Sequence, residues 1–140
     1  LAAAADQSIV ITRQADGTWG RPPGTKTELT GTPGAFVLKP HLRGDISFDA
    51  QNRLAAWADP DGITRTYAYN ASGLLETVTD ATGRTLSFVY DNDALLESVS
   101  DSPGRMVSFS HTNDLRMHTA DPENHTTTFA YNAGGLLTDW

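Results

Sequence analysis

Three sets of residues in this chain have types and spacings that could do chemistry. His111, His118 and His125 stand at intervals of seven. Imidazole ligates metal, and two of these rings could meet across the Asp121–Asn124 turn. The competing reading makes His111 a replacement for a recurring tyrosine and leaves the other two as solvated strand positions. Asp59, Asp80, Asp101 and Asp121 recur at spacings of 21, 21 and 20. Such a ladder of carboxylates could hold calcium. That ion takes about six to eight oxygens, and the acidic nonapeptide repeats that supply them carry paired glycines not found here. Each Asp is better suited to accept hydrogen bonds from the amides of its own turn. The third set is an aromatic ladder: Tyr67 and Tyr69, Phe88 and Tyr90, Phe109 and His111, Phe129 and Tyr131. Exposed, it could stack on sugar rings or peptide; buried, it would be the core. A chain this small is expected to place these rings inside.

The remaining candidates give no catalytic centre. Glu76 and Glu97 share a repeat position, as do Arg84 and Arg105. They flank the same turn and could pair across strands as exposed ion pairs. Hydrolysis by paired carboxylates needs two acids in one concave site, which repeated acids along a sheet do not form. Ser, His and Asp occur without a nucleophile-elbow motif. Gly134-Gly135 is followed by Leu136-Leu137 and not by a helix start, so it is no phosphate loop. No catalytic, metal or cofactor-binding residue is assigned, no cofactor is expected, and the chain is not expected to be an enzyme.

Composition narrows the classes further. The 140 residues include 10 Lys and Arg against 17 Asp and Glu, a net charge of −7. Residues 1–40 carry a net +1 and residues 41–140 a net −8. An acidic chain does not suit nucleic acid, whose phosphates need a basic face, nor a polybasic membrane anchor. No apolar run approaches the ~18 residues of a membrane helix, so no membrane insertion is expected. There is no cysteine, which excludes a disulfide framework, a thiolate zinc site and a Cys nucleophile within these residues. Residues 1–5 are too short for a signal peptide, though they could be what remains beside a cleavage site. The first residue is not Met and the last is the apolar Trp140, which leads us to expect a piece of a longer polypeptide.

The elements that must position these residues follow from an internal repeat. An aromatic or His recurs as Phe48, Tyr69, Tyr90, His111 and Tyr131, at spacings of 21, 21, 21 and 20. The Asp series keeps the same register. One deletion between His111 and Asp121 explains the short step in both. Each repeat carries the turn signal Asp-x-x-Gly or a variant: Asp59 to Gly62, Asp80 to Gly83, Asp101 to Gly104 and Asp121 to Asn124. Asp first, Pro second and Gly fourth are turn preferences. Pro103 takes the disfavoured third position, so that turn is expected to differ. A second signal follows the aromatic by four: Asn52, Gly73, Ala94, Asp114 and Gly135. All but Ala94 tolerate positive φ.

Between the turns, Thr64–Tyr69, Thr85–Tyr90, Met106–His111 and Thr126–Tyr131 read as strands that alternate with period two. Leu74–Thr79, Leu95–Ser100 and Leu115–Ala120 return. Their apolar positions, Leu75 and Val78 or Leu96 and Val99, are three apart, so either a bulge intervenes or both faces are covered. No helical periodicity competes. The fold class is therefore all-β: consecutive antiparallel hairpins of about 21 residues, forming a curved strip of sheet. Residues 1–33 read as an irregular lead-in with short strands, and residues 34–140 as about five hairpin repeats. In the lead-in, Ser8–Arg13 is an expected strand, and Trp19 with Ile9–Ile11 is expected to cover the first hairpin. Ala35–Leu38 is a further strand.

These residues resemble the YD-repeat, or Rhs-repeat, family. Its unit is an aromatic followed by Asp, a turn Gly, an Arg-Leu pair, then Asp-x-x-Gly-Arg. Tyr90-Asp91, Leu96, Asp101 and Gly104-Arg105 carry the likeness. Phe48-Asp49, Tyr69-Asn70, His111-Thr112 and Tyr131-Asn132 are the variants, and the fourth is the most degenerate. Asp16-Gly17-Thr18-Trp19, Pro22-Pro23-Gly24 and Gly34-Ala35-Phe36-Val37-Leu38 resemble the stretch before the repeats in Rhs proteins. The repeat-defining residues so implied are Phe48, Asp49, Tyr69, Asn70, Tyr90, Asp91, His111, Tyr131, Asn132, Asp59, Gly62, Asp80, Gly83, Asp101, Gly104 and Asp121.

The resemblance implies a wall segment of a YD-repeat shell, a structural scaffold that encloses or presents a toxin domain in bacterial toxins. In adhesion relatives the same repeats form an extracellular scaffold. The implied partners are the remaining repeats of the parent shell and an enclosed toxin cargo. Independently of the resemblance, a hairpin strip ends in unpaired strands, and self-association through such open edges is expected. The implied location is secreted or at the bacterial cell surface. The alternative is a carbohydrate- or cell-surface-binding module. Cell-wall-binding hairpin repeats are Trp-rich, however, whereas here only Trp57 and Trp140 stand nine residues after an aromatic, with Val78, Val99 and Thr119 between.

Overall fold

The computed structural model of the protein describes residues 10–21, 23–113 and 115–140, and of Arg116 and Met117 the backbone alone. The elements are β1 (Glu28–Thr32), β2 (Ala35–Lys39), β3 (Asp45–Phe48), β4 (Leu54–Ala58), β5 (Thr64–Tyr69), β6 (Leu75–Thr79), β7 (Thr85–Tyr90), β8 (Leu96–Asp101), β9 (Met106–Thr112), β10 (Leu115–Ala120), β11 (Thr126–Thr128), β12 (Ala130–Tyr131) and β13 (Leu137–Asp139). No helix occurs among the described residues. The protein is all-β and built from antiparallel hairpins in an open sheet, as the period-two pattern predicts. Hydrogen-bonded strand order is chain order from β1 to β11. The last hairpin departs from the expectation: β12 and β13 form a ladder of their own.

The chain divides into two compact units, Leu1–Thr66 and Tyr67–Trp140. In the first, β1 pairs with β2, β2 with β3, β3 with β4, and β4 with the start of β5. Ser8 and Ile9 of the expected first strand lie outside the described residues, as do Pro22 and Asp114. Val10 to Thr12 are not strand, and Arg13 makes one isolated bridge to Trp19. Trp19 does cover the first hairpin: its ring meets Phe36 edge-on, centroids 5.4 Å apart. In the second unit, β6 pairs with β7, β7 with β8, β8 with β9, β9 with β10 and β10 with β11.

The three-residue spacing on the returning strands resolves as a bulge. Between β7 and β8, Tyr90 faces Leu96 and Val89 faces Ser98, so Glu97 is skipped. The extra residue reverses the alternation. Leu96 and Val99 thereby join Tyr90 and Phe88 on one face. The same shift falls between Ser47 and Phe48, where Leu54 and Trp57 join Phe48 and Ile46. It recurs opposite Arg116 and His118, and between Ala130 and Tyr131.

Each unit thus has an apolar face and a small polar one. In the second unit the opposite face carries Thr77 against Ser87, Ser87 against Ser100, and Ser98 against Ser108. The expectation that the aromatics form a buried core is corrected. No hydrophobic side chain is buried among the described residues, where Thr27 alone is buried. The rings of Tyr67, Tyr69, Phe88, Tyr90, Phe109, His111, Phe129 and Tyr131 are half-buried. A ring on a sheet face is screened by its cross-strand neighbours, but full burial needs a second layer against that face.

Candidate functional site

One turn recurs throughout the chain and is its most strongly built local structure. At Asp49, Asp59, Asn70, Asp80, Asp91, Asp101, Asp121 and Asn132 the residue's N–H donates to the carbonyl four residues on. Its own carbonyl accepts from the N–H three residues on, all at 2.9–3.1 Å. The fourth residue of each turn has positive φ: Asn52, Gly62, Gly73, Gly83, Ala94, Gly104, Asn124 and Gly135. The side chain then locks the loop. Asp80 Oδ1 accepts the N–H groups of Thr82 and Arg84 at 2.8 and 3.0 Å. Asp49, Asp59, Asn70, Asp91, Asp121 and Asn132 make the equivalent pair. The two turn signals read separately in the sequence are therefore one geometry. An Asp or Asn followed three residues later by Gly, Asn or Ala, every ten or eleven residues, is the signal that reveals it.

The departures are as informative. The turn at Asp101 does differ: Pro103 has no N–H, so Oδ1 takes only Arg105 N–H at 2.9 Å. Ser102 turns instead to the neighbouring strand, its N–H donating to the Thr85 carbonyl at 3.0 Å while its Oγ accepts Thr85 N–H at 2.6 Å. The one-residue deletion lies between Thr112 and Leu115, which face each other directly. There Asn113 takes the positive φ of 51°. The lead-in also holds an unforeseen copy of the turn. Gln14 N–H donates to Thr18 at 2.8 Å, Gly17 N–H donates to Gln14 at 3.0 Å, and Gly17 has φ 86°.

Arginine at the fifth position closes the lock. Arg84 Nε donates to Asp80 Oδ2 at 2.7 Å, and Arg105 Nε to Asp101 Oδ2 at 2.7 Å. Arg53 does the same to Asp49 at 2.9 Å. This corrects the expected pairing of Arg84 and Arg105 with Glu76 and Glu97: a five-residue loop brings the Asp closer than the cross-strand Glu. Hydrogen bonds set the charge state. The Thr82 hydroxyl, then Arg84, holds the Asp80 carboxyl far below its ordinary value. Arg105 lowers Asp101, and the His125 amide lowers Asp121. Each outweighs the desolvation that acts the other way.

The histidines do not converge as a set. His111 lies opposite Arg116 in the β9–β10 ladder. His118 Nδ1 is 3.1 Å from Thr128 Oγ1, and His125 Nδ1 is 3.0 Å from Asp121 Oδ2. The donors that do approach are those of Asp121, Glu123 and His125, within 4.8 Å of one another in one turn, where Asp121 is half-buried and the other two are exposed. Trp57 sits on the apolar face, with the Arg65 guanidinium 5.3 Å above its ring and its Nε1 donating to the Arg43 carbonyl at 3.2 Å.

Repeated aromatic-ended strands joined by one locked turn define a hairpin-repeat fold. Residues 48–85, which run from Phe48 through the Asp49, Asp59, Asn70 and Asp80 turns, match the RHS Repeat family. That match supports assigning the chain to the YD/Rhs-repeat family, whose repeat is a structural unit. No curated protein matches the chain.

Proposed function

We propose that the chain is a wall segment of an Rhs/YD-type shell whose parent protein encloses or presents a toxin domain. One observation carries the reading: the same side-chain-locked turn, recurring along the RHS-matched stretch and beyond it, strings hairpins edge to edge with no hydrophobic side chain buried among the described residues. Repeat arrays of this kind gain stability from neighbours and not from an interior. The proposed partners are the remaining repeats of the shell and its toxin cargo. The proposed location is secreted or at the surface of a bacterial cell.

The test is imaging of the parent polypeptide together with limited proteolysis. The reading requires a hollow repeat body, with a distinct tail that resists protease until the body is opened. A parent with no further repeats would remove it. Half-exposed rings at Tyr67, Tyr69, Phe88 and Tyr90 favour a second reading, a glycan-binding face. Glycan-array signal that disappears in Tyr69→Ala supports it, and an array without signal ends it.

A further inference from the structure

Among the described residues, the outer side of β1 is an open strand edge. In an antiparallel ladder alternate residues bond to the partner, and those between turn their N–H and C=O away. The Gly31 carbonyl accepts from Trp19 Nε1 at 3.4 Å, so it points away from β2. By that alternation Leu29, two residues earlier on the same strand, turns its N–H and C=O to that side. No strand pairs with this side among the described residues. Such a row is a template for another strand.

A small hairpin from the lead-in stands against it. Gly20 N–H donates to the Thr12 carbonyl at 2.8 Å, Arg13 bridges Trp19, and the Asp16 carboxylate accepts Thr18 N–H at 2.9 Å and its hydroxyl at 2.7 Å. Trp19 reaches from this hairpin to Phe36 of β2 with ring planes at 84°. Arg21 pairs with Glu28 at the start of β1. A groove of about 360 Å³, lined by Trp19, Arg21, Leu29 and Gly31 among others, remains between hairpin and strand. The hairpin therefore stands over the edge by its side chains and is not bonded to it as a further strand.

We propose that residues 12–20 are an edge guard, held by Trp19, which keeps a second copy of this chain from adding to β1. The strand is self-complementary. Antiparallel pairing centred on Thr30 sets Leu29 opposite Gly31 of the second copy, the two residues whose backbone groups face outward. It sets Glu28 opposite uncharged Thr32, so no like charges meet.

Amide exchange at Leu29 and Gly31 as a function of protein concentration, with sedimentation velocity alongside, tests the guard. Wild type and Trp19→Phe, which keeps a ring against Phe36, show no concentration-dependent protection there. Trp19→Ala gains it, with a dimer about tenfold tighter, the scale of one lost aromatic contact. Arg21→Ala, which releases only the ion pair, shifts the same way by less. Adding Leu29→Pro to Trp19→Ala abolishes the dimer, because proline removes an outward N–H that β2 does not use. Wild type already protected at β1, or no shift in both Trp19→Ala and Arg21→Ala, overturns the proposal. Association through any other edge leaves these two amides unchanged and is read apart from it.

Discussion

The hairpin β7–β8 and the segment β11–β13 are entered by turns of the same chemistry and reach different ends. Asp80 and Asp121 each accept two turn amides on Oδ1. Beyond Asp80 the strands run six residues each; beyond Asp121 they run three, two and three. The difference lies in what the strands carry. β7 and β8 set Phe88 against Val99 and Tyr90 against Leu96. β11 offers Thr126, Thr127 and Thr128, all exposed. The turn starts a hairpin, and cross-strand apolar pairs lengthen it.

The largest test of that contrast is a pair of truncations. Phe88→Ala is expected to cost about 2 kcal/mol, the scale for removing a half-buried ring from a packed pair. Phe129→Ala, beside the short strands, is expected to cost less than about 1 kcal/mol. Urea unfolding measures both, and equal losses would break the comparison.

The next test acts on the turns themselves. Ala94 holds φ 63° where Gly83 holds 83°. A Cβ in the left-handed region costs about 1–2 kcal/mol, offset in part by the greater unfolded freedom of glycine. Ala94→Gly is expected to gain about 0.5–1 kcal/mol and Gly83→Ala to lose about 1 kcal/mol. A loss in Ala94→Gly would show that its turn is held from elsewhere.

The repeat made much of this legible. Strands β5 and β7 fall where alternation of Thr with aromatics puts them, because neighbouring strands and turns demand the same thing locally. Ala94 stood out as the wrong residue type for its turn, and it does occupy positive φ. Other features were hidden for physical reasons. The bulge at Glu97 depends on pairing register, which the spacing of Leu96 and Val99 suggests but does not decide. The choice of Asp80 over Glu76 by Arg84 depends on loop geometry. Burial of the rings depends on whether a second layer exists, and that is no property of one strand's pattern. At β12 the alternation held while the ladder did not, since Thr126 to Thr128 supply no apolar partners.

Acid sharpens the turn comparison further. The carboxyls of Asp80, Asp101 and Asp121 are all held below the ordinary 3.8 in the fold. A group depressed in the folded state stabilises it above the unfolded value and ceases to as pH falls below that value. The urea midpoint is therefore expected to be flat from about pH 7 to 5 and to drop between about pH 4 and 2. Asp80→Asn keeps the Oδ1 acceptor and loses the charge, so it should shrink the acid drop while leaving the turn formed. An undiminished drop would place the acid-sensitive interaction elsewhere. The carboxyls are half-buried but their Arg84, Arg105 and His125 partners are exposed, which keeps the effect modest and salt-sensitive.

The smallest effect is expected where the two regions differ by one side chain in the lock. Arg84 donates Nε to Asp80 Oδ2 at 2.7 Å and sets a second nitrogen at 2.7 Å, whereas His125 offers Asp121 one nitrogen at 3.0 Å. A guanidinium fork matches a carboxylate in a way a single imidazole nitrogen does not. His125→Arg is therefore expected to raise amide protection slightly at Thr126–Thr128, and high salt should erase the gain because the pair is exposed. If the variant instead lengthened β11 and merged it with β12, turn chemistry and not apolar pairing would be what limits this end of the chain.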